Sequence, residues 1–403
     1  MKIGFLSPLI PSVAYGHRPF SFLKHLVSKG HRITLHCIED PGPVPSAAAS
    51  LEKLGVDVRP VALARIKRWA NCLIGYPGKI PLRVLHCRSR ALEEQVIDDL
   101  RVGAYDAFHV DRFRLAPYAF RARSVFSGPV ILDFPDALSL YYARAVNNPR
   151  HWAKGRLDRR EHRVIPPYEA EVLRGGLECI VCSEVDRARL RQAVPEATVY
   201  VIPNMVDAEE FHPRRRESDR PRLVFTGTLY YLPNIDGLLW FRERILPLLK
   251  DLDPVIDVLG YGATAELDPL QADPRFRFHG YVPNMAERLF TEDVFLCPLR
   301  IGAGLRFKLL EAFSAGMACV STTLGFEGIP CVPGEHLLAA DAEEEFAAAI
   351  RRLFENPEER ERIGRRAREL VRESYSVEAA GERLEEIYGR RPDRNRRPLQ
   401  SPL

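Results

Sequence analysis

With 403 residues, 46% of them hydrophobic and 28% charged, the chain is long enough for two cores and polar enough to stay in water. A formal charge of +4 excludes a general nucleic-acid binder, whose basic excess is larger, so any cationic function must be local. Nowhere do roughly 18 apolar residues run together, which argues against a membrane-spanning helix.

Lys2 to Ser7 reads as a first buried strand rather than a signal peptide, so a cytoplasmic location is expected. A loop through Gly16, His17 and Arg18 leads into an amphipathic helix, roughly Ser21 to Lys29, and Ile33 to Cys37 is the second strand. This βαβ start lacks GxGxxG, which weakens a nicotinamide-binding reading. A third strand is expected over Val56 to Pro60. Residues 59–90 then carry eight basic side chains and no acidic one, interleaved with Trp69, Leu73, Ile74, Tyr76 and Ile80. That mixture suits an anionic membrane surface or a lipid-phosphate acceptor.

Tyr105 to Val110 and Val130 to Phe134 read as further parallel strands. Their carboxyl ends carry His109, Asp111, Asp133 and Asp136, where ligands of open parallel sheets bind. Residues 144–163 form a second basic patch, and Cys179 to Ser183 and Val199 to Ile202 close the first sheet. His212 to Pro221 reads as a linker. The eight cysteines are scattered, and Cys179 and Cys182 lie in an extended run that points them to opposite faces, so all are expected to be reduced thiols.

The alternation then restarts. Leu223 to Thr226 is a strand followed by the Gly227-Thr228 turn, and a helix is expected over Asn234 to Leu249. Val255 to Leu259 ends in a turn at Gly260, and Phe276 to Gly280 leads to Tyr281 and Val282. Helices are expected over 343–354, 356–372 and Val377 to Tyr388, before an Arg/Pro-rich tail, 389–403, expected to be disordered.

The stretch Asp293 to Gly328 combines a short strand, Arg300, a Gly302-Ala303-Gly304 turn and a helix stopped by Gly316. A glycine loop at a helix N-terminus leaves backbone N–H groups free for an anion. Arg300, Arg306 and Lys308 are expected to surround that N-terminus. Glu311, three residues beyond Lys308, shares its face and suits the hydroxyls of a ribose beside a diphosphate.

FTGTLYYLPNIDG (225–237), VLGYG, FHGYVPN (278–284) and PLRIGAGLRFKLLEAFSAG (298–316) together resemble the GT-B glycosyltransferases. The second half is similar to the group-1, family-4-like nucleotide-sugar transferases of the bacterial exopolysaccharide type. The first half agrees more loosely, through the Gly16 loop, SEVD (183–186) and IPNMVD (202–207). The resemblance implies an α/β GT-B fold of two doubly wound Rossmann-like domains facing each other across a cleft. The expected limits are 1–205, with a C-terminal helix at about 376–390 packing back on it, 206–375, and a tail 391–403.

It further implies retaining transfer from an NDP-sugar held by the second domain to a saccharide or lipid-linked acceptor held by the first. Donor contacts fall on Gly227, Thr228, Asn234, Gly260, Tyr281, Val282, Arg300, Gly302, Ala303, Gly304 and Glu311, with Lys308 and Arg306 on the diphosphate. Acceptor-side candidates are Gly16, His17, Arg18 and Asp136, and His109 or Asp133 stands where the first domain's catalytic group is expected. No metal and no cofactor are expected, since no Asp-x-Asp stands at a strand end. The family pattern is departed from at Ala303, where a glutamate is usual, and after Gly227, where Thr228 and Pro233-Asn234 replace Arg and Lys. A nucleotide-sugar epimerase, which needs no acceptor, and a non-catalytic nucleotide-binding protein are the alternatives.

Overall fold

A computed structural model describes residues 1–12, 17–39, 47–146, 155–211, 221–289 and 293–390. Gly16, most of the 212–221 linker and the 391–403 tail lie outside the described residues, as does part of the 144–163 patch. The chain divides into two compact units, Met1–Met205 together with the chain from Ala380, and Val206–Ala379.

In the first unit, β1 (Lys2–Ser7), α1 (His17–Ser28), β2 (Arg32–Glu39), α2 (Ala47–Lys53) and β3 (Asp57–Ala62) come first. Three helices follow in succession, α3 (Arg65–Gly75), α4 (Leu82–His86) and α5 (Arg90–Arg101). Then β4 (Ala107–Asp111), α6 (Ala116–Val125), β5 (Val130–Phe134), α7 (Leu138–Ala145) and α8 (Gly155–Arg174) resume the alternation. The last elements before the second unit are β6 (Glu178–Val181), α9 (Glu184–Ala193) and β7 (Val199–Val201). The strands form one parallel sheet in the order β3-β2-β1-β4-β5-β6-β7. β4 and β5 are buried along their whole length, as parallel strands covered on both faces must be. Ser183 caps α9 by accepting from Asp186 N–H, and Asp186 Oδ1 in turn accepts from Ala137 N–H at 2.9 Å.

The second unit contains β8 (Arg222–Thr226), α10 (Leu232–Trp240), β9 (Val255–Leu259), α11 (Asp268–Gln271), β10 (Phe276–Gly280) and α12 (Met285–Leu289). It continues with β11 (Val294–Cys297), α13 (Phe307–Ser314), β12 (Ala318–Ser321), β13 (Leu338–Ala339), α14 (Glu343–Glu355) and α15 (Pro357–Ser374). Its sheet runs β10-β9-β8-β11-β12-β13, so the order reverses between β8 and β11, the switch point at which such sheets bind ligands. α16 (Val377–Tyr388) returns to the first unit, where Leu384, Ile387 and Tyr388 are buried and Glu385 Oε1 lies 2.8 Å from His25 Nε2.

Two expected elements differ. The helix expected over Asn234 to Leu249 is α-helical only to Trp240, then turns π-helical over Phe241–Ile245 and 3-10 over Leu246–Leu249. Pro247 is the cause, since its ring has no N–H to give and crowds the carbonyl a turn back. α1 starts at His17, four residues before the expected Ser21, because Pro19 sits in the first turn, where its missing N–H costs nothing. All eight cysteines are free thiols. No described helix is long and apolar enough to cross a membrane.

Candidate functional site

The carboxyl ends of β8, β9 and β10 are tied together through backbone. Gly227 N–H donates to Leu259 O at 2.9 Å, and Gly260 N–H donates to Gly280 O at 2.9 Å. A Cβ on Gly260 would stand 1.8 Å from Gly227 O, so this approach admits no side chain there. Gly227, at φ 146°, lies in backbone space that favours glycine, and a Cβ there would lie 2.6 Å from Lys308 Nζ and 2.7 Å from Asn234 Nδ2.

Lys308, in the first turn of α13, thus reaches across the switch point to β8. Its Nζ donates to Asn234 Oδ1 at 2.7 Å and stands 3.9 Å from the centre of the Phe225 ring. Asn234 Nδ2 donates to Thr228 O at 2.8 Å, which fixes the amide and so the lysine. Burial pulls the Lys308 ammonium down to about 7 and pushes the Glu311 carboxyl, one turn further along α13, up to about 8. Near neutrality Glu311 is therefore mostly protonated and able to donate as well as accept, while Lys308 is poised between charged and neutral. Tyr281, just past β10, is exposed, and its ring pairs with Tyr261 at 6.4 Å.

The three expected cations do not all surround the α13 N-terminus. Arg300 makes a two-point ion pair with buried Asp236 at 2.8 and 3.0 Å and lies over the Trp240 ring. Arg306 is buried, and its guanidinium donates to Ala303 O at 2.6 Å and to Gly304 O. Its charge is met by the carbonyls of the Gly302-Ala303-Gly304 turn, so it shapes that loop instead of standing over it. Asp236 and Phe225, the partners that decide where these cations go, were not singled out by the sequence. Nothing local marks them, because the pairs form across long stretches of chain.

In the first unit the expected catalytic pair is enclosed. His109 is fully buried, stacked on Phe5 at 4.3 Å, with Nδ1 2.8 Å from Tyr388 Oη. Burial pulls its imidazole down to about 3, so it is neutral. Asp133, also fully buried, is held by Arg18 at 2.7 and 3.1 Å. Arg18 further donates to Ile202 O at 2.7 Å and to Asn204 Oδ1 at 3.2 Å. His109 and Asp133 are therefore interior groups, not exposed catalysts, and Arg18 is committed to the core and not to an acceptor. Burial also pulls half-buried His17 down to about 4. Asp136 differs, since it lines a surface pocket. Among the described residues no three His, Cys, Asp or Glu side chains converge as a metal cluster.

A family model described as "Glycosyl transferases group 1" matches residues 220–356. An uncharacterized 44.6 kDa protein in the cps region of Klebsiella pneumoniae is 26% identical over 164 residues, which are 38% of this chain and 42% of that protein. The chain thus spans about two-fifths of that curated relative's length. A glycosyltransferase structure from Rickettsia africae ESF-5 superposes with a TM-score of 0.70 at 14% identity, covering 96% of this chain and 97% of that one. Anabaena HepE in complex with UDP-glucose superposes with a TM-score of 0.64 at 14% identity, covering 96% and 98%. The fold is GT-B, and residues 220–356, which carry the Gly227–Asn234–Lys308 cluster, match the glycosyl transferases group 1.

Proposed function

We propose that the chain transfers a sugar from a nucleotide-sugar donor to a saccharide or lipid-linked acceptor, with retention at the anomeric carbon and without metal, in polysaccharide or glycoconjugate assembly. The observation that carries this reading is the Lys308 ammonium held by Asn234 against Gly227, where the strand order reverses. A diphosphate set there meets a lysine, a helix N-terminus and glycine backbone with no side chain in the way. Glu311 takes the ribose, and Gly280, Tyr281 and Val282 face the base. Arg306 holds the Gly302–Gly304 loop in the form that admits the donor sugar. The UDP-glucose complex of HepE and the capsule-region setting of the Klebsiella relative favour this substrate class.

When the anomeric C–O bond breaks, its electrons pass to the diphosphate, and the acceptor oxygen takes the vacated position on the same face while its proton passes to the departing diphosphate oxygen. Charge grows on the leaving diphosphate, and a preorganised cation in a dry site is the effective way to stabilise it. The nucleotide sugar is a substrate, and no cofactor is needed. The first unit binds the acceptor, on the cytoplasmic side of a membrane whose anionic surface is met by the 59–90 segment.

The test is a thermal-shift panel of UDP, GDP, ADP and dTDP, run once with EDTA and once with excess magnesium. A ligand at a hundredfold excess over its Kd adds about 2.7 kcal/mol of apparent stability, a shift of several degrees for a unit of this size. One diphosphate should raise Tm without metal, and Glu311→Ala should abolish the rise. No shift with any of them, or a shift that needs divalent metal, would overturn the donor-site assignment or its metal independence respectively.

A further inference from the structure

The first unit has a second place where charge collects. Arg112 and Arg114 follow β4, Asp136 follows β5, and Arg83 comes from α4. With Phe113, Pro135 and Leu138 they line one open surface pocket. It therefore lies at the carboxyl ends of neighbouring parallel strands, where such sheets bind ligands. Three guanidinium groups and the Asp136 carboxylate line it, and Asp111 is buried beside Arg112.

The cations are poorly balanced. Arg112 Nε is buried with no hydrogen-bond partner, the nearest carboxylate oxygen being Asp111 Oδ2 at 3.6 Å, which already accepts from Ser7 Oγ at 2.9 Å. Arg83 donates to Tyr142 Oη at 3.2 Å, and the nearby Asp136 carboxylate also favours its charge. Burial, and after it the like charge of Arg112, pulls the Arg114 guanidinium below its ordinary range, with Arg83 adding to the repulsion. Arg112 also has φ 74°, a backbone region that favours glycine. A non-glycine residue there costs on the order of one to a few kcal/mol, and the rest of the unit must sustain it.

We propose that the Arg83–Arg112–Arg114 pocket binds a phosphate group, and, resting on the transfer reading above, that this phosphate is carried by the acceptor. Three guanidinium forks give planar, paired donors to the several oxygens of one phosphate, and the anion relieves their mutual repulsion. Asp136 at the rim then accepts from a sugar hydroxyl beside the phosphate. The basic 59–90 segment thus splits: Arg83 turns into this pocket, while Arg65, Lys67 and Lys79 stay exposed.

The experiment is isothermal titration at low ionic strength with inorganic phosphate and with a hexose 1-phosphate, on the full chain and on Arg112→Gly. That substitution removes a cation and relieves the backbone at the same position, so Tm should not fall. Losing a charge-assisted hydrogen bond pair should weaken phosphate binding about tenfold to a hundredfold. Lys308→Ala serves as the second variant, because phosphate seated in the second unit would respond to it and phosphate in this pocket would not. Binding that survives Lys308→Ala and is lost in Arg112→Gly is the expected result. No binding by the native chain, or binding indifferent to Arg112→Gly, overturns the site. Hexose 1-phosphate should bind more tightly than inorganic phosphate, and equal affinity would overturn the acceptor assignment while leaving an anion site. The nucleotide panel reads the other unit, so Arg112→Gly should keep the nucleotide shift. A native chain that binds phosphate but no nucleotide would sink the transfer reading alone.

Discussion

Lys308 stands apart from its two neighbours in the quality of its partner. Arg300 meets a carboxylate and Arg306 meets carbonyls, whereas Lys308 rests on a neutral amide oxygen and an aromatic face. With its pKa pulled down to about 7, it loses charge just above neutrality. A diphosphate favours the charged form, so binding must take up a proton wherever the free lysine is neutral. Donor affinity should therefore be greatest below about pH 7 and weaken as pH rises, by up to about tenfold per pH unit, until the pKa of the bound state is reached. Ionisation of Glu311 through about 8 adds repulsion in the same direction. A nucleotide sugar carries no phosphate that titrates near neutrality, so a slope seen with it belongs to the protein. Titration calorimetry in buffers of differing ionisation enthalpy reads the proton uptake directly, and a flat profile would remove Lys308 from the diphosphate contact. Lys308→Ala should flatten the profile and lower kcat/KM by about a hundredfold or more.

At the scale of an element, α3 is the anomaly. Ile66, Trp69, Leu73 and Ile74 are 82, 66, 78 and 81% exposed, whereas its inner side holds Arg68 and Cys72. At about 100° per residue these four residues form one stripe, with Arg65 just beyond one edge and Lys67 just beyond the other. Cations flanking an exposed apolar face are the pattern of a helix lying in a lipid interface. The chain leaving the helix is anchored, since Arg160 of α8 donates to Tyr76 O at 2.8 Å and to Gly78 O and Ile80 O at 3.0 Å. The chain should therefore sediment with vesicles rich in anionic lipid, release as salt rises, and ignore neutral vesicles. Replacing Trp69 and Leu73 by Ser removes up to about 1.5–3 kcal/mol of transfer energy each, so partitioning should fall at least tenfold. Unchanged partitioning would sink the membrane assignment, and a dimer abolished by the same substitutions would give the face to a second copy of this chain.

How much of this the sequence discloses follows from the range of the forces involved. β5 and β9 run over the expected residues because each is a short, mostly apolar run bounded by turn residues, and β10 because Phe276 and Phe278 alternate with exposed Arg277 and His279. Gly227 and Gly260 were legible because a close backbone approach demands glycine. The destination of a side chain was not legible where the partner is remote. Arg300 finds Asp236 and Arg18 finds Asp133 across 64 and 115 positions, and His109 is sealed by Tyr388 from 279 positions away. Helical character in α3 was hidden for a related reason. Its apolar stripe faces outward, so periodicity alone could not say which side was the core.

At the scale of the molecule, the chain leaves the first unit after Met205, builds the whole second unit, and returns at Ala380. The first unit is thus completed by α16, the last helix among the described residues. Leu384, Ile387 and Tyr388 are at most 3% exposed, and burying such side chains is worth about 1.5–3 kcal/mol each against a typical unfolding free energy of about 5–15 kcal/mol. Removing them would also strip the hydroxyl from His109 Nδ1, whose Nε2 already has no hydrogen-bond partner, and expose His25. A chain ending at Ala379 should therefore lose the folded first unit and keep the second. Calorimetry should show the first unit's transition gone or much lowered, with the nucleotide-dependent rise of the remaining transition intact. Tyr388→Phe, a milder cut at the same place, should cost about 1–3 kcal/mol of the first unit's stability and leave nucleotide binding unchanged. If the shortened chain melted with both transitions in place, α16 would be an ornament on a unit already complete. If the nucleotide response vanished with it, the two units would not be independent in stability, and the second could not be taken as a donor module in its own right.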